Sequence, residues 1–302
     1  MPQVTLGLAL HRSEMTPLIY DQMRQHEAIF LEEPPDPNFE QMLAGNLAVD
    51  EYLSLLDVEY PAFSRDMCYL LRKLNADGKQ IFQVEPFWEI LLNIHEFFAA
   101  GHRPEELQKN IIQYPVYLAE RNATRALVAY YQTVMAGSFE DTLRAILQFA
   151  RMDAARFGLR DSLRAQEIAS MVKKYSSSYI EAGMMHYPLW RLLRQQLQTK
   201  VPVKVIFLAD DALRSLQTKA HLYGPGDQLT LLYIFHPGIF NTRREKLLAS
   251  RSIIYSKIVG KDELTDDLDT FPHLRDELGC LWLAGLLSLE DCRRLFPLVR
   301  RT

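Results

Sequence analysis

Short apolar runs alternate with longer helical patterns at the start of the chain. Residues 3–10 form an apolar run that predicts a buried strand, and apolar residues at helical spacing follow over residues 15–25. A second apolar run covers residues 28–31, and the proline-rich segment at residues 33–37 can continue neither a strand nor a helix. The chain therefore opens with a predicted βαβ unit whose second strand ends in a loop.

The same pattern returns after residue 176. A predicted strand at residues 179–182 leads into Gly183-Met184-Met185-His186, and a helix to about residue 199 and a strand at residues 203–208 follow. His11 precedes Glu32, at the end of the second strand, by 21 positions, and His186 precedes Phe207, at the matching strand end, by the same 21. The shared offset predicts an internal repeat, with units at about residues 3–35 and 177–210.

Most of the remaining sequence has helical periodicity. A third short strand is predicted at residues 80–84, a helical insertion at about residues 86–175 with a helix boundary at Gly158, and a helical C-terminal part at about residues 240–302. The apolar run Leu229 to Phe235 predicts one further strand. No segment has the composition of a linker, so we predict a single α/β domain over residues 1–302, with a central mixed sheet built from the two repeated units.

Composition and charge narrow the class of protein. The chain of 302 residues is 48% hydrophobic, which suffices for a full core, and its formal net charge of −4 includes no basic block, so no nucleic-acid partner is expected. The apolar runs fall short of the roughly 20 residues that cross a bilayer, so no membrane partner is expected. Secretion is not expected either, because the first residues have no basic leader and no small-residue cleavage site. The 3 cysteines lack CxxC spacing, which favours a cytoplasmic protein with reduced thiols.

Candidate chemistry lies at the ends of the predicted strands, where open α/β sheets bind their ligands. His11, Glu32, Glu85 and His186 all fall there, and Glu32 is favoured over its neighbour Glu33 because it is closer to the strand. Imidazole and carboxylate groups are the ligands that catalytic Mn, Zn, Co or Fe ions use. We therefore predict a divalent metal site at His11, Glu32 and His186, with Glu85 in contact with the substrate.

Three arginines at the starts of helices are candidates for holding an anionic group of a substrate. Arg160 and Arg164 open the helix that leads into the second unit, and Arg65 opens a helix that leads into the third strand. Structural salt bridges are the alternative role of such arginines. The sequence contains no GxSxG, Walker A, GxGxxG or HExxH motif, so the chemistries that require those motifs are not expected.

The paired glycine and histidine motifs resemble those of the TraB/Tiki superfamily, which also takes in PrgY-type proteins, ChaN-like haem-binding proteins and erythromycin esterases. Gly183 to His186 matches the GxxH form, and Gly7 to His11 matches it with one residue more. Phe30-Leu31-Glu32 resembles the second strand of the family, which ends in Glu, and Arg160 to Ala169 resembles the Arg-led helix before the second motif. The resemblance covers about residues 3–35 and 157–210.

This resemblance implies a duplicated α/β fold and, in several branches, a metal-assisted hydrolase. Carried over to this chain, it makes His11, Glu32 and His186 site residues and places Arg160 or Arg164 near the substrate. The first hypothesis is a metal-dependent hydrolase that cleaves an ester or amide bond of a small molecule or peptide, with Glu32 and the two arginines in catalytic roles. Two alternatives stay open. One is a non-catalytic module that binds haem or a metal ion, or that binds another protein, and the other is a structural or regulatory protein that retains only the fold.

Overall fold

The computed structural model describes residues 3–198, 201–218, 222–240, 242–264 and 270–300. The strands are β1 (Gln3–Ala9), β2 (Ala28–Leu31), β3 (Gln80–Gln83), β4 (Ser177–Gly183) and β5 (Val203–Phe207). The helices up to β4 are α1 (Thr16–Met23), α2 (Phe39–Leu43), α3 (Val49–Ser54), α4 (Pro61–Ala76), α5 (Pro86–Ala99), α6 (Gln113–Ala136) and α7 (Phe139–Met171). The later helices are α8 (Tyr187–Leu197), α9 (Ala209–Ser215), α10 (Pro225–Phe235), α11 (Arg243–Ile258), α12 (Pro272–Leu286) and α13 (Leu289–Val299).

The predicted α/β fold class is confirmed. The described strands form one five-stranded sheet in the order β3-β2-β4-β1-β5, and helices occupy the connections. Every strand pair in this sheet is parallel, so the prediction of a mixed sheet was wrong in that detail. A helix in each connection brings the chain back to the starting edge, which is what parallel pairing requires.

The two βαβ units interlock in the sheet. The first runs β1-α1-β2 and the second β4-α8-β5, with a 3-10 turn before the helix in each, at Ser13–Met15 and Met184–His186. Strand β4 lies between β1 and β2, and β1 lies between β4 and β5, so each unit crosses over the first strand of the other. The carboxyl ends of β1 and β4 are therefore neighbours, and the segments that carry the two motif histidines begin side by side.

The chain divides into two compact units. Residues 1–89, 160–219 and 263–273 form the unit that contains the sheet, and residues 90–159, 220–262 and 274–302 form a helical unit. The sheet unit has an apolar core in which Leu6, Leu8 and Phe30 of the strands pack with Ile168 and Leu193. The helical unit has a core of its own, which includes Leu143, Leu229 and Phe296. The prediction that the chain is a single domain stays a prediction.

The predicted strand at Leu229 to Phe235 was wrong, because this segment is the second part of helix α10. The helix begins at Pro225, and the Asp227 carboxylate accepts a hydrogen bond from the backbone N–H of Gly224, which caps the helix start. A continuous apolar run of this length fits a buried helix as well as a buried strand. The predicted boundary at Gly158 was also wrong, since α7 continues through it from Phe139 to Met171.

Gly7 is required by the packing of the sheet rather than by the candidate site. A Cβ atom added at Gly7 would lie 1.9 Å from the hydroxyl oxygen of Tyr179 and 2.3 Å from its Cζ atom. Gly7→Ala is therefore expected to lower the free energy of unfolding by about 1–3 kcal/mol, measured by denaturant titration, because the buried Tyr179 ring must move. Gly158→Ala is the matched control, since among the described residues no atom outside the neighbouring backbone of the helix lies within 4 Å of the added Cβ. It should stabilise α7 by about 1 kcal/mol. Equal changes in the free energy of unfolding for the two substitutions would contradict a steric requirement for glycine at position 7.

None of the helices in the described ranges is both long and apolar enough to cross a membrane.

Candidate functional site

Three neighbouring strands bring acidic and imidazole side chains to one edge of the sheet. His11 follows β1 by two residues, Glu32 comes directly after β2, and Glu181 lies within β4. Because β2, β4 and β1 are consecutive in the parallel sheet, these three positions are close in space. Helix α7 adds Arg160 and Arg164, which are four residues apart and therefore share a face of the helix.

His11, Glu32 and Glu181 form a cluster that could hold a metal ion. One donor atom from each side chain lies within 4.8 Å of the other two. The His11 Nε2 atom is 2.9 Å from Glu181 Oε1, and the backbone N–H of Glu32 donates to Glu181 Oε2 at 3.1 Å. Glu181 is 5% exposed. Burial lowers the pKa of His11, but the hydrogen bond and charge of Glu181 outweigh it, so the pKa of His11 is raised overall.

Glu32 is held by cationic and backbone donors on both carboxylate oxygens. Its Oε1 atom accepts from Arg160 at 2.6 Å and lies 2.8 Å from His186 Nε2. Its Oε2 atom accepts from the backbone N–H of Gly183 at 2.7 Å and lies 3.8 Å from Arg164 Nη1. Burial raises the pKa of Glu32, but the charges of His186 and Arg160 outweigh it and hold this pKa well below its usual range. The carboxylate is fixed in orientation and stays ionised.

His186 is buried between two carboxylates. Its Nδ1 atom bonds to Asp161 and its Nε2 atom to Glu32, so both nitrogens donate when the ring is protonated. Burial lowers the pKa of His186, but the charges of Glu32 and Asp161 outweigh it and raise the pKa to about 9. In this arrangement His186 offers no free nitrogen to a metal ion. The cluster of donors therefore differs from the predicted ligand set in one residue, with Glu181 in place of His186.

The Arg160 and Arg164 side chains of α7 bond to carboxylate and backbone groups inside the protein. Arg164 is fully buried and donates to the backbone oxygen of Val84 at 2.9 Å and to that of Glu181 at 2.7 Å. Arg160 lies 3.2 Å from the buried Glu85 carboxylate in addition to its bond with Glu32. Both arginines therefore support the carboxylates and the backbone of the site. Neither is among the residues that line the adjoining cavity.

A cavity of about 200 Å³ adjoins the cluster, and we call it the His11 cavity. His11, Glu32 and Glu181 line one end of it, and its walls are largely apolar. The His11 ring stacks on Phe63, with the ring centres 5.1 Å apart, and its side chain is 32% exposed. A ligand in the cavity would therefore meet the same atoms that could hold a metal ion.

The ionisable groups in and around the cluster have balanced formal charges when both imidazoles are protonated. They comprise four carboxyl groups, two guanidinium groups and two imidazoles, which belong to Glu32, Glu85, Asp161, Glu181, Arg160, Arg164, His11 and His186. With both imidazoles protonated the formal charges cancel. A divalent ion in place of the proton on His11 would leave one positive charge, and binding it would release that proton.

The structure brings together six of the seven residues predicted from the sequence. His11, Glu32, Glu85, Arg160, Arg164 and His186 all belong to the network described above. Arg65 does not, because its exposed side chain pairs with Asp50 at 2.8 Å. Sequence reasoning missed Glu181 and Asp161. The signal for Glu181 was a charged residue inside an apolar strand, which is uncommon unless the charge is paired or functional.

Comparisons with known proteins identify a relative but no function. The chain is 26% identical over 286 residues to an uncharacterized protein of Archaeoglobus fulgidus, and the match covers 94% of each of the two chains. No protein-family model matches the chain, and no solved structure matches it. The resemblance to the TraB/Tiki superfamily therefore stays a prediction.

Proposed function

We propose that this protein is a metal-dependent hydrolase of an ester or amide bond, with its centre at His11, Glu32 and Glu181. The observation that carries the proposal is the cluster of three donor atoms, which opens on the His11 cavity. Catalytic metal sites commonly have three protein ligands and keep a further position for water or substrate. Mixed imidazole and carboxylate ligands suit Mn, Zn, Co or Fe.

The chemistry follows from the position of the cluster at the end of the cavity. A bound divalent ion would polarise a carbonyl group and lower the pKa of a water molecule. His11 and Glu181 would hold the ion from the side of β1 and β4, and Glu32 from the side of β2. The apolar walls of the cavity would exclude bulk water from the scissile bond and receive an apolar part of the substrate.

The buried network gives the other predicted residues supporting roles. His186, Arg160 and the backbone of Gly183 fix the orientation of Glu32, and Asp161 in turn holds His186. Such outer contacts tune and orient metal ligands. We therefore propose positioning roles for Arg160, Arg164 and His186, without contact with the substrate.

A non-catalytic binding module on the same residues is the second candidate. One observation favours it: Glu32 already holds two cationic side chains, which weakens its attraction for a metal ion. His11 would then be the ligand for a metal ion or a haem iron, because its ring reaches the cavity. This candidate predicts binding without hydrolysis.

The test combines metal content with hydrolysis. The purified protein, treated with chelator and reloaded with Mn, Zn, Co or Fe in turn, should bind about one ion per chain and cleave members of a panel of p-nitrophenyl esters and anilides. His11→Ala should lose both properties, because it removes the only imidazole in the donor cluster. His102→Ala is the control, since His102 is exposed and pairs with Glu106 instead.

Three outcomes separate the candidates. Stoichiometric metal and hydrolysis that both vanish in His11→Ala would support the hydrolase. Metal binding or a haem absorption band without hydrolysis would support the binding module. Absence of bound metal, of a haem absorption band after addition of haem and of turnover under every loading condition would overturn both proposals.

A further inference from the structure

The walls of the His11 cavity suit a small apolar group. Phe39, Tyr52, Tyr60 and Phe63 supply aromatic surface, and Met67 supplies a flexible apolar side chain. The volume of about 200 Å³ is below the roughly 300–1,000 Å³ that drug-sized ligands occupy. A benzyl group or a short alkyl chain is the size of group that this space admits.

The charged residues that line the cavity are acidic. Beyond Glu32 and Glu181 in the donor cluster, the lining includes Glu33 and Glu59, whose side chains are exposed, and no lysine or arginine occurs among the described residues that line it. Glu33 accepts a hydrogen bond from the amide of Gln83 at 2.9 Å. Burial raises the pKa of Glu33, whereas this hydrogen bond and the nearby His11 lower it, and the pKa is raised overall. When both carboxyl groups are ionised, the exposed parts of the cavity lining carry two negative charges.

A neighbouring groove has the same sign of charge. It has a volume of about 530 Å³, and Phe39 lines both it and the His11 cavity. Its acidic lining residues are Asp36, Glu40, Glu85, Glu89 and Glu167, of which Glu85 is buried and paired with Arg160. No lysine or arginine is found among its described lining residues. Clefts lined by charges of one sign attract ligands of the opposite sign and repel those of the same sign.

We infer that the substrate of the proposed hydrolase is an apolar amine, an aryl- or alkylammonium compound whose scissile ester or amide bond lies beside the cationic group. The hydrolytic reaction in this inference rests on the proposed function, and the positive charge of the substrate rests on the acidic lining of the cavity. With an ion bound, the eight ionisable groups in and around the donor cluster would carry a formal charge of +1 together, and the exposed rim carries the carboxylates of Glu33 and Glu59. A carbonyl oxygen directed to the cluster and an ammonium group directed to the rim match this separation of charge. The Tyr60 ring is already covered by the Arg12 guanidinium, 4.2 Å from the ring centre, and the other aromatic walls favour cations over anions.

The test is a binding comparison in the chelator-treated full-length protein. Phenethylammonium, phenethyl alcohol and 3-phenylpropionate have similar size and shape but differ in charge, and their dissociation constants are measured by NMR titration. The ammonium compound should bind at least about tenfold more tightly than the carboxylate, with the alcohol between them, and the ratio should shrink in high salt. Equal affinities, or tightest binding of the carboxylate, would overturn the inference.

Variants locate the effect. Glu33→Gln with Glu59→Gln should remove most of the preference for the ammonium compound and leave the affinity of the alcohol unchanged. Glu96→Gln with Glu105→Gln is the matched control, because both residues are exposed and lie outside the cavity. Ser64→Trp, which fills the cavity from a partly exposed position, should weaken binding of all three compounds. Unchanged affinities in Ser64→Trp would overturn the assignment to this cavity.

The outcome is distinct from that of the hydrolase test. Selective ammonium binding in a protein that never hydrolyses the ester and anilide panel would overturn the hydrolase alone. Hydrolysis of that panel by a protein with no charge preference would overturn this inference alone.

Discussion

Replacing Glu181 with glutamine is expected to weaken Mn²⁺ binding at least about a hundredfold while the protein stays folded. Glu181 is the donor that bonds directly to His11 and is not paired with an arginine side chain in the described structure, so its charge is the one most available to a cation. The amide of glutamine keeps the size of the side chain and an oxygen that can accept from the backbone N–H of Glu32. Loss of one anionic ligand lowers metal affinity steeply. Isothermal titration with Mn²⁺ measures the change.

Glu33→Gln is the matched control for this prediction. Glu33 lines the same cavity and is adjacent to Glu32 in the chain, but it is not part of the donor cluster. If the ion is held by the cluster, Glu33→Gln should change the dissociation constant by no more than a few fold. Similar losses in both variants would indicate diffuse attraction to an acidic surface, and they would contradict a metal centre at His11, Glu32 and Glu181.

The sequence was informative wherever the fold repeats itself. The common offset from His11 to Glu32 and from His186 to Phe207 predicted two strand ends at one edge, and the interlocked order of the strands places the first three of these residues close together. The sequence could not distinguish a metal ligand from a residue that orients one. His186 looked equivalent to His11, and only the positions of Asp161 and Glu32 on its two ring nitrogens separate their roles.

Glu181 and Asp161 were missed because their partners are remote in the chain. Glu181 meets His11 across 170 residues, and Asp161 meets His186 across 25. No periodicity or local motif encodes such a pairing. In the apolar segment Leu229 to Phe235, by contrast, the local pattern fits a strand and a helix equally well. The segment is a helix whose apolar side chains are buried in the core of the helical unit.

The buried network links the candidate site to the stability of the sheet. Three formal positive charges, on Arg160, Arg164 and protonated His186, lie beside the carboxylates of the site. Burying so many charges is tolerated only because each has partners of opposite charge or backbone carbonyl groups. The same groups that orient Glu32 therefore also hold the ends of β2, β3 and β4 together.

Arg164→Met should consequently be among the most destabilising single substitutions in the sheet unit. Methionine matches much of the length of arginine but leaves the backbone oxygens of Val84 and Glu181 without their donor, and it removes a cation 3.8 Å from Glu32. Breaking a buried charged network by removing one partner costs about 3–5 kcal/mol. Urea unfolding of the metal-free protein should show a loss of this size in the free energy of unfolding.

Arg65→Met removes the same functional group from an exposed site. Arg65 pairs with Asp50, and both side chains are more than half exposed, at 52% and 69%. An exposed pair of this kind contributes about 0–1 kcal/mol, so Arg65→Met should leave the unfolding curve nearly unchanged. A small effect of Arg164→Met, comparable with that of Arg65→Met, would show that water or a rearranged side chain replaces the guanidinium group. In that case Arg164 would not be needed to hold the ends of β3 and β4, whose backbone carbonyl groups it bonds.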